Sequence, residues 1–429
     1  MDNLNQLRQD IDRIDREMAE LFKRRMELAR RTGNYKREKG LPVLDKDREA
    51  DVLSRNAANL SDAALLPYYV DFQQKLMDLS KQYQVSLTDG ASDAAAQSLA
   101  GCDFILERGS LVHAAEYLSL QRRVLIVTDS GVPTRYADTI AGMCRDAFVF
   151  TVPQGEGSKS FSVLQQLLKR MLDFGLTRSD CVVAVGGGMA GDLAGFAASI
   201  YMRGIDFYNV PTTLLAQVDS SIGGKTAINF DDVKNPVGTF SRPKKVLMDP
   251  DLLATLSRRQ ISAGLAEVVK MALTCDRELF TMLEKLDHST DLAPIIHRAL
   301  AIKARIVAAD EKENGLRRVL NFGHTFGHAI EATHPELLHG ECVALGMIPM
   351  CGPEVVARLL PLLKRLELPT VYELDRARVF HALYHDKKRD TDGITVTEVT
   401  EIGRFTMRRA EPEELMERLH LIEKGADEG

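Results

Sequence analysis

The sequence predicts a multidomain protein with three parts: an N-terminal all-α helical domain, a central α/β domain of the Rossmann-like type, and a mostly α-helical C-terminal domain. Three observations predict this. Apolar residues alternate at three- and four-residue spacing near the N-terminus, short apolar runs alternate with helical patterns in the middle, and four of the ten histidines cluster at residues 321–341. We place the parts at residues 1–86, 101–250 and 251–429, with a linker of small and polar residues at 87–100.

Composition excludes several classes of function. A length of 429 residues is enough for two or three domains, and the net charge of -6 gives no reason to expect nucleic acid or an anionic membrane as a partner. No run is long and apolar enough to span a bilayer, and the polar, acidic N-terminus predicts no secretory signal. The six cysteines lack the spacing of a metal or redox site, so we expect them to be reduced and mostly buried. These features predict a soluble cytoplasmic protein.

The first helix carries an apolar seam with one charged residue in it. A guanidinium stands at seam position Arg25, and burying it is costly unless a carboxylate or an anionic ligand pairs with it. The helix is expected to end at Gly40 and Pro42, with a second helix after it and a third over about 61–84. Three helices of unequal length do not close a good core, so a dimer is expected. The seam consists of Leu4, Leu7, Ile11, Ile14, Met18, Leu21 and Leu28.

This N-terminal region resembles a known enzyme family. The segments LRQDIDRIDREMAELFKRRMELA, YKREKGLPVLDKDRE and SKQYQ are similar to the all-helical chorismate mutases over residues 1–86. The resemblance implies conversion of chorismate to prephenate, with arginines holding the two carboxylates and polar groups facing the ether oxygen that gains charge. It carries over Arg8, Arg25, Lys36, Asp45, Arg48, Glu49, Ser80 and Gln84 as site residues, and Arg8 would reach the other subunit's site. The alternative is a dimerisation or regulatory module without catalysis.

The central region has the pattern of a nucleotide-binding α/β domain. The apolar runs RVLIVTD, CVVAVGGG and DFYNVP read as buried strands, and the second leads into a G-x-G-x-x-G motif that ends at Gly191. A glycine turn between a strand and a helix places pyrophosphate at the helix N-terminus. Polar residues that suit ribose and phosphate follow in loops and at helix starts. The candidate cofactor residues are Asp129, Glu156, Lys159, Gly186, Gly187, Gly188, Asp192, Thr212, Thr213, Asp219, Lys225, Lys234 and Asn235.

The histidine cluster suits a catalytic metal. His324 and His328 are four residues apart in a helical pattern and share one face, and His339 follows on a short HGE turn. Glu267 and Lys270 are three apart on another predicted helix. Two imidazoles and a carboxylate with open positions suit zinc, and cobalt is accepted by the same ligands. The alternative is a set of core histidines. A metalloprotease is excluded because no glutamate follows His324.

Residues 101–425 closely resemble the 3-dehydroquinate synthase family. The matching motifs are GGGMAGDLAGF, YMRG, VPTTLLAQVDSSIGGKTAIN, KNPVGTF, GLAEVVK, NFGHTFGHAIE, LHGE and HDKK. The resemblance implies bound NAD, zinc held by Glu267, His324 and His339, and a phosphate contact from Arg203 to the neighbouring subunit. The implied substrate site is Asp219, Lys225, Lys270, Lys303, Arg317, Asn321, His328 and Lys387.

The leading hypothesis is therefore a bifunctional enzyme of aromatic amino acid biosynthesis. Its C-terminal part would convert 3-deoxy-D-arabino-heptulosonate 7-phosphate into 3-dehydroquinate and phosphate, in a homodimer or larger homo-oligomer. One alternative is a related cyclase acting on another heptulose phosphate, such as sedoheptulose 7-phosphate; another is a metal-dependent polyol dehydrogenase. Two departures from the family pattern are Pro236 after Asn235 and a shortened connection over 347–369.

Overall fold

The structure, a computed structural model, divides the chain into two compact units, residues 1–95 and 96–429. It describes residues 4–38, 52, 55, 60, 62, 64–86, 98–99, 102–231, 233–287, 290–313, 315–387 and 393–423. The first unit is helical, and the second combines a parallel α/β sheet with a helical region. This confirms the predicted fold class.

The N-terminal unit contains two long described helices that pack on each other, α1 (Leu4–Glu38) and α2 (Leu66–Ser86). Helix α2 begins later than predicted because Ala64 donates to the Asp62 carboxylate in a turn, and Pro67 suits only the first helical turn. Ala29 and Met77 are buried between the helices.

The predicted seam of α1 is exposed in the single chain. Ile11, Leu21 and Leu28 are 57%, 60% and 59% exposed. A continuous exposed apolar stripe of this kind is uncommon on a monomer, since covering it lowers the free energy. Packing a second helix on the seam would bury it, which agrees with the expectation of a dimer.

The second unit begins with a seven-stranded sheet in the order β1-β2-β9-β6-β5-β3-β4, in which every neighbouring pair is parallel except β1 with β2. A separate antiparallel hairpin, β7–β8, packs on helix α6. Strand β1 lies within the predicted linker. The strands are β1 (Ser98–Leu99), β2 (Cys102–Leu106), β3 (Arg123–Asp129), β4 (Asp146–Val152), β5 (Cys181–Gly186), β6 (Asp206–Pro211), β7 (Lys225–Phe230), β8 (Val233–Phe240) and β9 (Lys245–Met248). The helices are α3 (Ala114–Tyr117), α4 (Thr134–Ala141), α5 (Phe161–Asp173) and α6 (Gly188–Ile200).

Both faces of this sheet are covered. In β3, Leu125 and Val127 pack in one apolar cluster, and Val124 and Ile126 pack in another. Strand β3 lies between β4 and β5, so the chain leaves it toward one side and later returns on the other. Such a switch point opens a crevice at the carboxyl ends of the strands, where α/β proteins bind ligands. The glycine turn after β5 lies at this crevice.

The remainder of the second unit is mainly helical and closes with a β-hairpin. Helix α7 is buried from Ser262 to Thr274 and begins with a capping box between Ser257 and Gln260. The helices are α7 (Arg258–Cys275), α8 (Arg277–Glu284), α9 (Ala293–Ala309), α10 (His324–Thr333), α11 (His339–Met347), α12 (Pro353–Arg365), α13 (Arg376–Lys387) and α14 (Pro412–Glu417), and the hairpin strands are β10 (Ile394–Glu401) and β11 (Arg404–Ala410).

Several smaller features of the second unit and of the whole chain bear on the sequence analysis. His339 was predicted on a turn, but it is the first residue of α11, where the carboxylate of Glu341 accepts a hydrogen bond from the amide of Leu338 at 2.7 Å. The C-terminal segment forms a helix over 412–417, followed by a 3-10 turn over 419–422. All six cysteines are free, and Cys102, Cys181 and Cys342 are buried. Within the described ranges, no helix combines the length and apolar character needed to cross a bilayer.

Candidate active site

Three helices bring Glu267, His324 and His339 together. Glu267 lies in the middle of α7, while His324 and His339 are the first residues of α10 and α11. Oε1 of Glu267 is 3.5 Å from Nε2 of His324 and 3.4 Å from Nε2 of His339. One ligand atom from each residue lies within 4.8 Å of the others. This is the predicted set of metal ligands in one place.

The charge state of this cluster suits a cation. Glu267 is fully buried, and Lys270 forms an ion pair with it. Burial alone would raise the pKa of Glu267, but Lys270, His324 and His339 outweigh it and hold that pKa well below its usual range. Burial and Lys270 lower the pKa of His324 well below normal, so this imidazole is neutral and can donate a lone pair.

His339 has acidic partners on both sides of its ring. Its Nε2 faces Glu267, and its Nδ1 is 3.2 Å from Oε2 of Glu331. Burial would lower the pKa of His339, but the bonds to these two carboxylates raise it to about 10. Glu331 was not among the predicted residues. It lies seven positions after His324 and three after His328, so helical spacing alone places it on their face.

The glycine turn lies between β5 and α6, as predicted. Gly186 ends the strand, Gly187 caps the helix and Gly188 begins it. A Cβ atom added at Gly188 would lie 2.7 Å from Oγ of Ser220, so only glycine fits this close approach. That hydroxyl is buried without a hydrogen-bond partner among the described residues. Backbone N–H groups at a helix start beside an unused hydroxyl suit a pyrophosphate.

Asp129 and the two threonines support this crevice. Asp129 ends β3, and its carboxylate accepts a hydrogen bond from Gly131 N at 2.9 Å. The amide of Thr212 donates to the carbonyl of Gly186 at 2.9 Å. The hydroxyl of Thr213 accepts from the amide of Ala216 at 3.2 Å. In the structure these residues shape the turns around the crevice.

Lys159 joins three of the predicted nucleotide residues. Its Nζ lies 2.7 Å from Oδ2 of Asp192 and 2.5 Å from Oδ1 of Asn235, and the lysine is only 3% exposed. Burial raises the pKa of Asp192 to about 6 although Lys159 opposes that rise. Asn235 has a left-handed φ of 56°. Glu156 lies at the edge of this group, 3.8 Å from Lys159.

A second cluster of buried charges lies beside the metal cradle, around Asp219. Its Oδ1 is 2.6 Å from Nζ of Lys303 and 3.9 Å from Nζ of Lys270, and both lysines are at most 5% exposed. Burial would raise the pKa of Asp219, but the two lysines outweigh it and lower that pKa. Burial lowers the pKa of Lys303, whereas Glu267 and Asp219 outweigh burial and raise the pKa of Lys270. Such buried ammonium groups suit an anionic ligand.

Glu313 holds two further predicted residues and was missed by sequence reasoning. It forms an ion pair with Lys225, and its Oε1 accepts from Nδ2 of Asn321 at 2.8 Å. It has a left-handed φ of 62°, which is uncommon for a residue other than glycine. Arg317 is 4% exposed and donates to the carbonyl of Glu311 at 2.6 Å. The loop over 311–321 therefore gathers Lys225, Asn321 and Arg317.

Gly223→Ala is expected to lower the thermal unfolding midpoint of the chain. Gly223 has a φ of 107°, and an added Cβ would lie 2.4 Å from the guanidinium of Arg317. The variant therefore combines backbone strain of about 1–2 kcal/mol with displacement of a buried side chain. Gly109→Ala is the matched control, since Gly109 has a φ of 72° but no atom within 4 Å of an added Cβ. Equal shifts in the two variants, measured by thermal unfolding, would contradict the contact with Arg317.

Three other predicted residues are His328, Arg203 and Lys387. The ring of His328 is 5.1 Å from that of His324. Arg203 is exposed and, like Met202 before it, has left-handed backbone, with φ values of 68° and 49°. Lys387 ends α13, but its side chain lies outside the described residues.

In the N-terminal unit, the structure brings together Arg25 and Ser80. Arg25 donates to the hydroxyl of Ser80 and, at 3.2 Å, to the carbonyl of Leu76. Burial lowers the pKa of Arg25. These partners are neutral, so the guanidinium keeps its charge for an anion. Arg8 is exposed, and the side chains of Lys36, Asp45, Arg48, Glu49 and Gln84 lie outside the described residues.

Comparison with known families covers most of the chain. Residues 149–263 match the family described as 3-dehydroquinate synthase N-terminal, and residues 264–389 match the family described as 3-dehydroquinate synthase C-terminal. Residues 7–85 match chorismate mutase type II. These three matches confirm both resemblances found in the sequence.

Two similar proteins agree with these family matches. The chain is 41% identical over 341 residues to 3-dehydroquinate synthase of Streptococcus sanguinis strain SK36, covering 73% of this chain and 96% of that protein. It is 39% identical over 342 residues to 3-dehydroquinate synthase of Lactococcus lactis subsp. cremoris strain MG1363, covering 74% and 96%.

Two solved structures resemble the second unit. One is 2-epi-5-epi-valiolone synthase from Streptomyces hygroscopicus subsp. jinggangensis 5008 with NAD+ and Zn2+ bound, with a TM-score of 0.68, 29% identity, and coverage of 74% of this chain and 95% of that one. The other is 2-deoxy-scyllo-inosose synthase complexed with carbaglucose-6-phosphate, NAD+ and Co2+, with a TM-score of 0.65, 26% identity, and coverage of 74% and 96%.

Proposed function

The chain belongs to the 3-dehydroquinate synthase family and carries a chorismate mutase type II domain at its N-terminus, and from this premise we propose two reactions. The second unit converts 3-deoxy-D-arabino-heptulosonate 7-phosphate into 3-dehydroquinate and phosphate, using NAD and zinc. The first unit rearranges chorismate to prephenate. Within the second unit, we assign residues 101–250 to NAD binding and 251–429 to metal and substrate binding.

The observation that carries the cyclase proposal is the pair of adjoining clusters. The cradle of Glu267, His324 and His339 offers ligand atoms within 4.8 Å of one another, and its glutamate is fully buried. Lys270 belongs to both clusters, since it pairs with Glu267 and lies 3.9 Å from Asp219. A substrate that spans the clusters would thus meet the metal and the anion-binding groups together.

The donor sets fit both cofactors. Two imidazole nitrogens and one carboxylate suit zinc or cobalt, and the turn at Gly186, Gly187 and Gly188 suits the pyrophosphate of NAD. When bound, NAD supplies a reversible hydride acceptor, and the metal supplies a Lewis acid that polarises hydroxyl oxygens of the substrate. We assign Thr212, Thr213, Asp129, Glu156, Lys159, Asp192, Lys234 and Asn235 to the nucleotide side.

The chain's own residues bind and orient the substrate. Lys270 and Arg317 suit its carboxylate, because both are buried cations beside the cradle. Lys225 and Asn321 are held by Glu313 and suit the phosphate, together with His328 and Lys387. Lys303 donates to the carboxylate of Asp219 and keeps it oriented toward the site. Of these groups, Lys270, Lys303 and Arg317 are buried, whereas Lys225, Asn321 and His328 are exposed.

Arg203 is assigned to a neighbouring subunit's phosphate. It is exposed, and both it and Met202 have left-handed backbone, a strained conformation that concentrates at functional sites. Because Arg203 is exposed, its side chain is available to a neighbouring subunit. We therefore propose a homodimer in which this residue completes the partner's site.

The chorismate proposal rests on Arg25. The partners of the half-buried Arg25 guanidinium among the described residues, Ser80 and the Leu76 carbonyl, are neutral, and such a group suits a dicarboxylate ligand. Arg8 and Arg48 would bind carboxylate groups as well, Lys36 and Gln84 would face the ether oxygen, and Glu49 would bind the ring hydroxyl. Asp45 and Ser80 complete the proposed site.

A second candidate substrate is sedoheptulose 7-phosphate. The two solved structures that resemble this unit are synthases with other products, so the fold alone does not fix the substrate. The buried cations Lys270 and Arg317 favour a carboxylated substrate, because each can form a charge-assisted hydrogen bond to a carboxylate.

Chelation and substrate exchange test the cyclase proposal. Purified full-length chain is incubated with NAD+ and either 3-deoxy-D-arabino-heptulosonate 7-phosphate or sedoheptulose 7-phosphate, with and without a chelator, and phosphate release is measured. We expect release from the carboxylated substrate alone, lost on chelation and restored by zinc, without net formation of NADH. Release only from sedoheptulose 7-phosphate would replace the proposed substrate, and net NADH would indicate a dehydrogenase.

A further inference from the structure

Glu331 makes a two-sided contact that the proposed reaction leaves unused. Its Oε2 is 3.2 Å from Nδ1 of His339, and its Oε1 is 2.7 Å from Nζ of Lys234. The carboxylate is 13% exposed. The two charged partners outweigh burial and lower the pKa of Glu331 to about 2, so it is an anion at neutral pH. Each carboxylate oxygen thus has its own charged partner.

The position of Glu331 also creates a second cluster of possible metal ligands. His328, Glu331 and His339 offer ligand atoms within 4.8 Å of one another, as Glu267, His324 and His339 do. His339 belongs to both clusters, through Nδ1 on one side and Nε2 on the other. An imidazole nitrogen that carries a proton donates a hydrogen bond and cannot bind a metal. Because Nδ1 of His339 faces Glu331 and Nε2 faces the Glu267–His324 cradle, a metal bound at one nitrogen leaves the ring proton on the other.

We propose that Glu331 is a positioning residue, which accepts the Nδ1 proton of His339 and so presents Nε2 of that imidazole to a metal in the Glu267–His324 cradle. The inference rests on the proposed function only for the location of the metal. A ligand histidine commonly donates its second N–H to a carboxylate, which fixes the ring and strengthens the ligand. The second cluster then positions a ligand of the first and does not bind a metal ion itself, so the chain binds one metal ion.

Lys234 extends this support to the nucleotide turn. It lies in β8 next to Asn235, whose side chain accepts from Lys159, and Lys159 pairs with Asp192 in α6. A continuous set of contacts thus runs from the helix at the glycine turn to the metal ligand. Lys234 is 51% exposed, so its ion pair alone contributes little. Lys234 acts on the metal only by holding Glu331. We therefore expect substitution of Lys234 to weaken metal binding less than substitution of Glu331.

Cobalt titration of the full-length chain tests the inference without any turnover. Co2+ is added to metal-free protein, the visible spectrum and the stoichiometry are recorded, and zinc affinity is measured by competition with a chelator. We expect one metal ion per chain and weaker zinc binding by about 10-fold in Glu331→Gln and about 100-fold in Glu331→Ala. The glutamine variant should have the intermediate zinc affinity, because its amide oxygen still accepts a hydrogen bond from Nδ1 of His339. Lys234→Met should weaken binding less than Glu331→Gln.

Glu284→Gln is the matched control. Glu284 is a half-buried glutamate of the same unit that lies in α8 and is paired with Arg358 at 2.6 Å. It should leave the zinc affinity and the cobalt spectrum unchanged, while the Glu331 variants shift the spectrum because His339 is no longer held. A purely structural role for Glu331 would alter thermal stability without changing the spectrum.

The outcomes separate this inference from the proposed function. If the unaltered chain binds no metal, the proposed cyclase fails. If it binds one metal ion and Glu331→Ala has unaltered affinity and spectrum, only the role of Glu331 fails. Two metal ions in the unaltered chain and one in Glu331→Ala, with the remaining affinity unchanged, would make the second cluster a metal site and overturn the inference.

Discussion

His324→Ala is expected to abolish metal binding and cyclisation while leaving the chorismate mutase rate unchanged. The substitution removes one of three ligands and leaves buried Glu267 with Lys270 and His339 as its remaining partners. Two ligands do not hold zinc in a catalytic geometry. Loss of the Lewis acid costs several kcal/mol of transition-state stabilisation, so phosphate release should fall by at least about 1,000-fold. Metal content by elemental analysis and phosphate release are the measurements.

The control for this variant is another histidine of the same segment. His334 follows the last residue of α10, where its Nδ1 contacts the hydroxyl of Thr333 at 2.8 Å and its ring lies 5.6 Å from that of Tyr372. His334→Ala should keep both metal and phosphate release. Full cyclase activity in a metal-free His324→Ala protein would reject the assignment of the cradle.

Local sequence spacing was enough to predict the ligands that share an element. His324 and His328 lie on one face of α10, and Glu267 and Lys270 lie on one turn of α7, because helical periodicity fixes both relations. The glycine turn was predicted for the same reason, since a strand, a turn and a helix follow one another in the chain. The parallel sheet followed from short apolar runs that alternate with helices, since strands covered on both faces read as continuous apolar segments.

The residues that support the site from a distance were not predicted. Glu313 and Glu331 are acidic, and a site for an anionic substrate gives no reason to look for carboxylates. Their roles depend on partners far away in the chain, Lys225 for Glu313 and Lys234 for Glu331. The pairing of Lys159 with Asp192 is of the same kind. Contacts of this type are set by the packing of whole elements, which spacing along the chain does not encode.

In the N-terminal unit, by contrast, the sequence predicted a packed helix face that the structure of a single chain does not contain. The apolar spacing of α1 predicted a packed seam, and in the structure of the single chain this seam is exposed at Ile11, Leu21 and Leu28. The pattern describes an interface, and a second helix is required to complete it. The same pattern made Arg25 conspicuous, because a charged residue stood where an apolar one was expected.

Arg25→Ala is expected to lower the chorismate mutase rate by about 100- to 1,000-fold without affecting the cyclase. Removing one partner of a buried charged contact with a ligand costs about 2–5 kcal/mol. Ser80 is not left unpaired by the substitution, because its hydroxyl also donates to the carbonyl of Leu76 within α2 at 2.8 Å. Chorismate consumption and phosphate release are measured on the same preparation, so that each activity serves as the folding control for the other.

Arg24→Ala is the matched control, because Arg24 is the neighbouring arginine on α1 but is exposed. It changes the net charge equally and should leave the mutase rate within about two-fold, since surface substitutions away from contacts have small effects. Arg25→Lys should restore little activity, because an ammonium cannot make the two parallel hydrogen bonds of a guanidinium to a carboxylate. Equal rates in Arg24→Ala and Arg25→Ala would instead identify the N-terminal unit as a module that binds or dimerises without catalysis. Together with His324→Ala, these variants would show that each activity depends on its own buried charges.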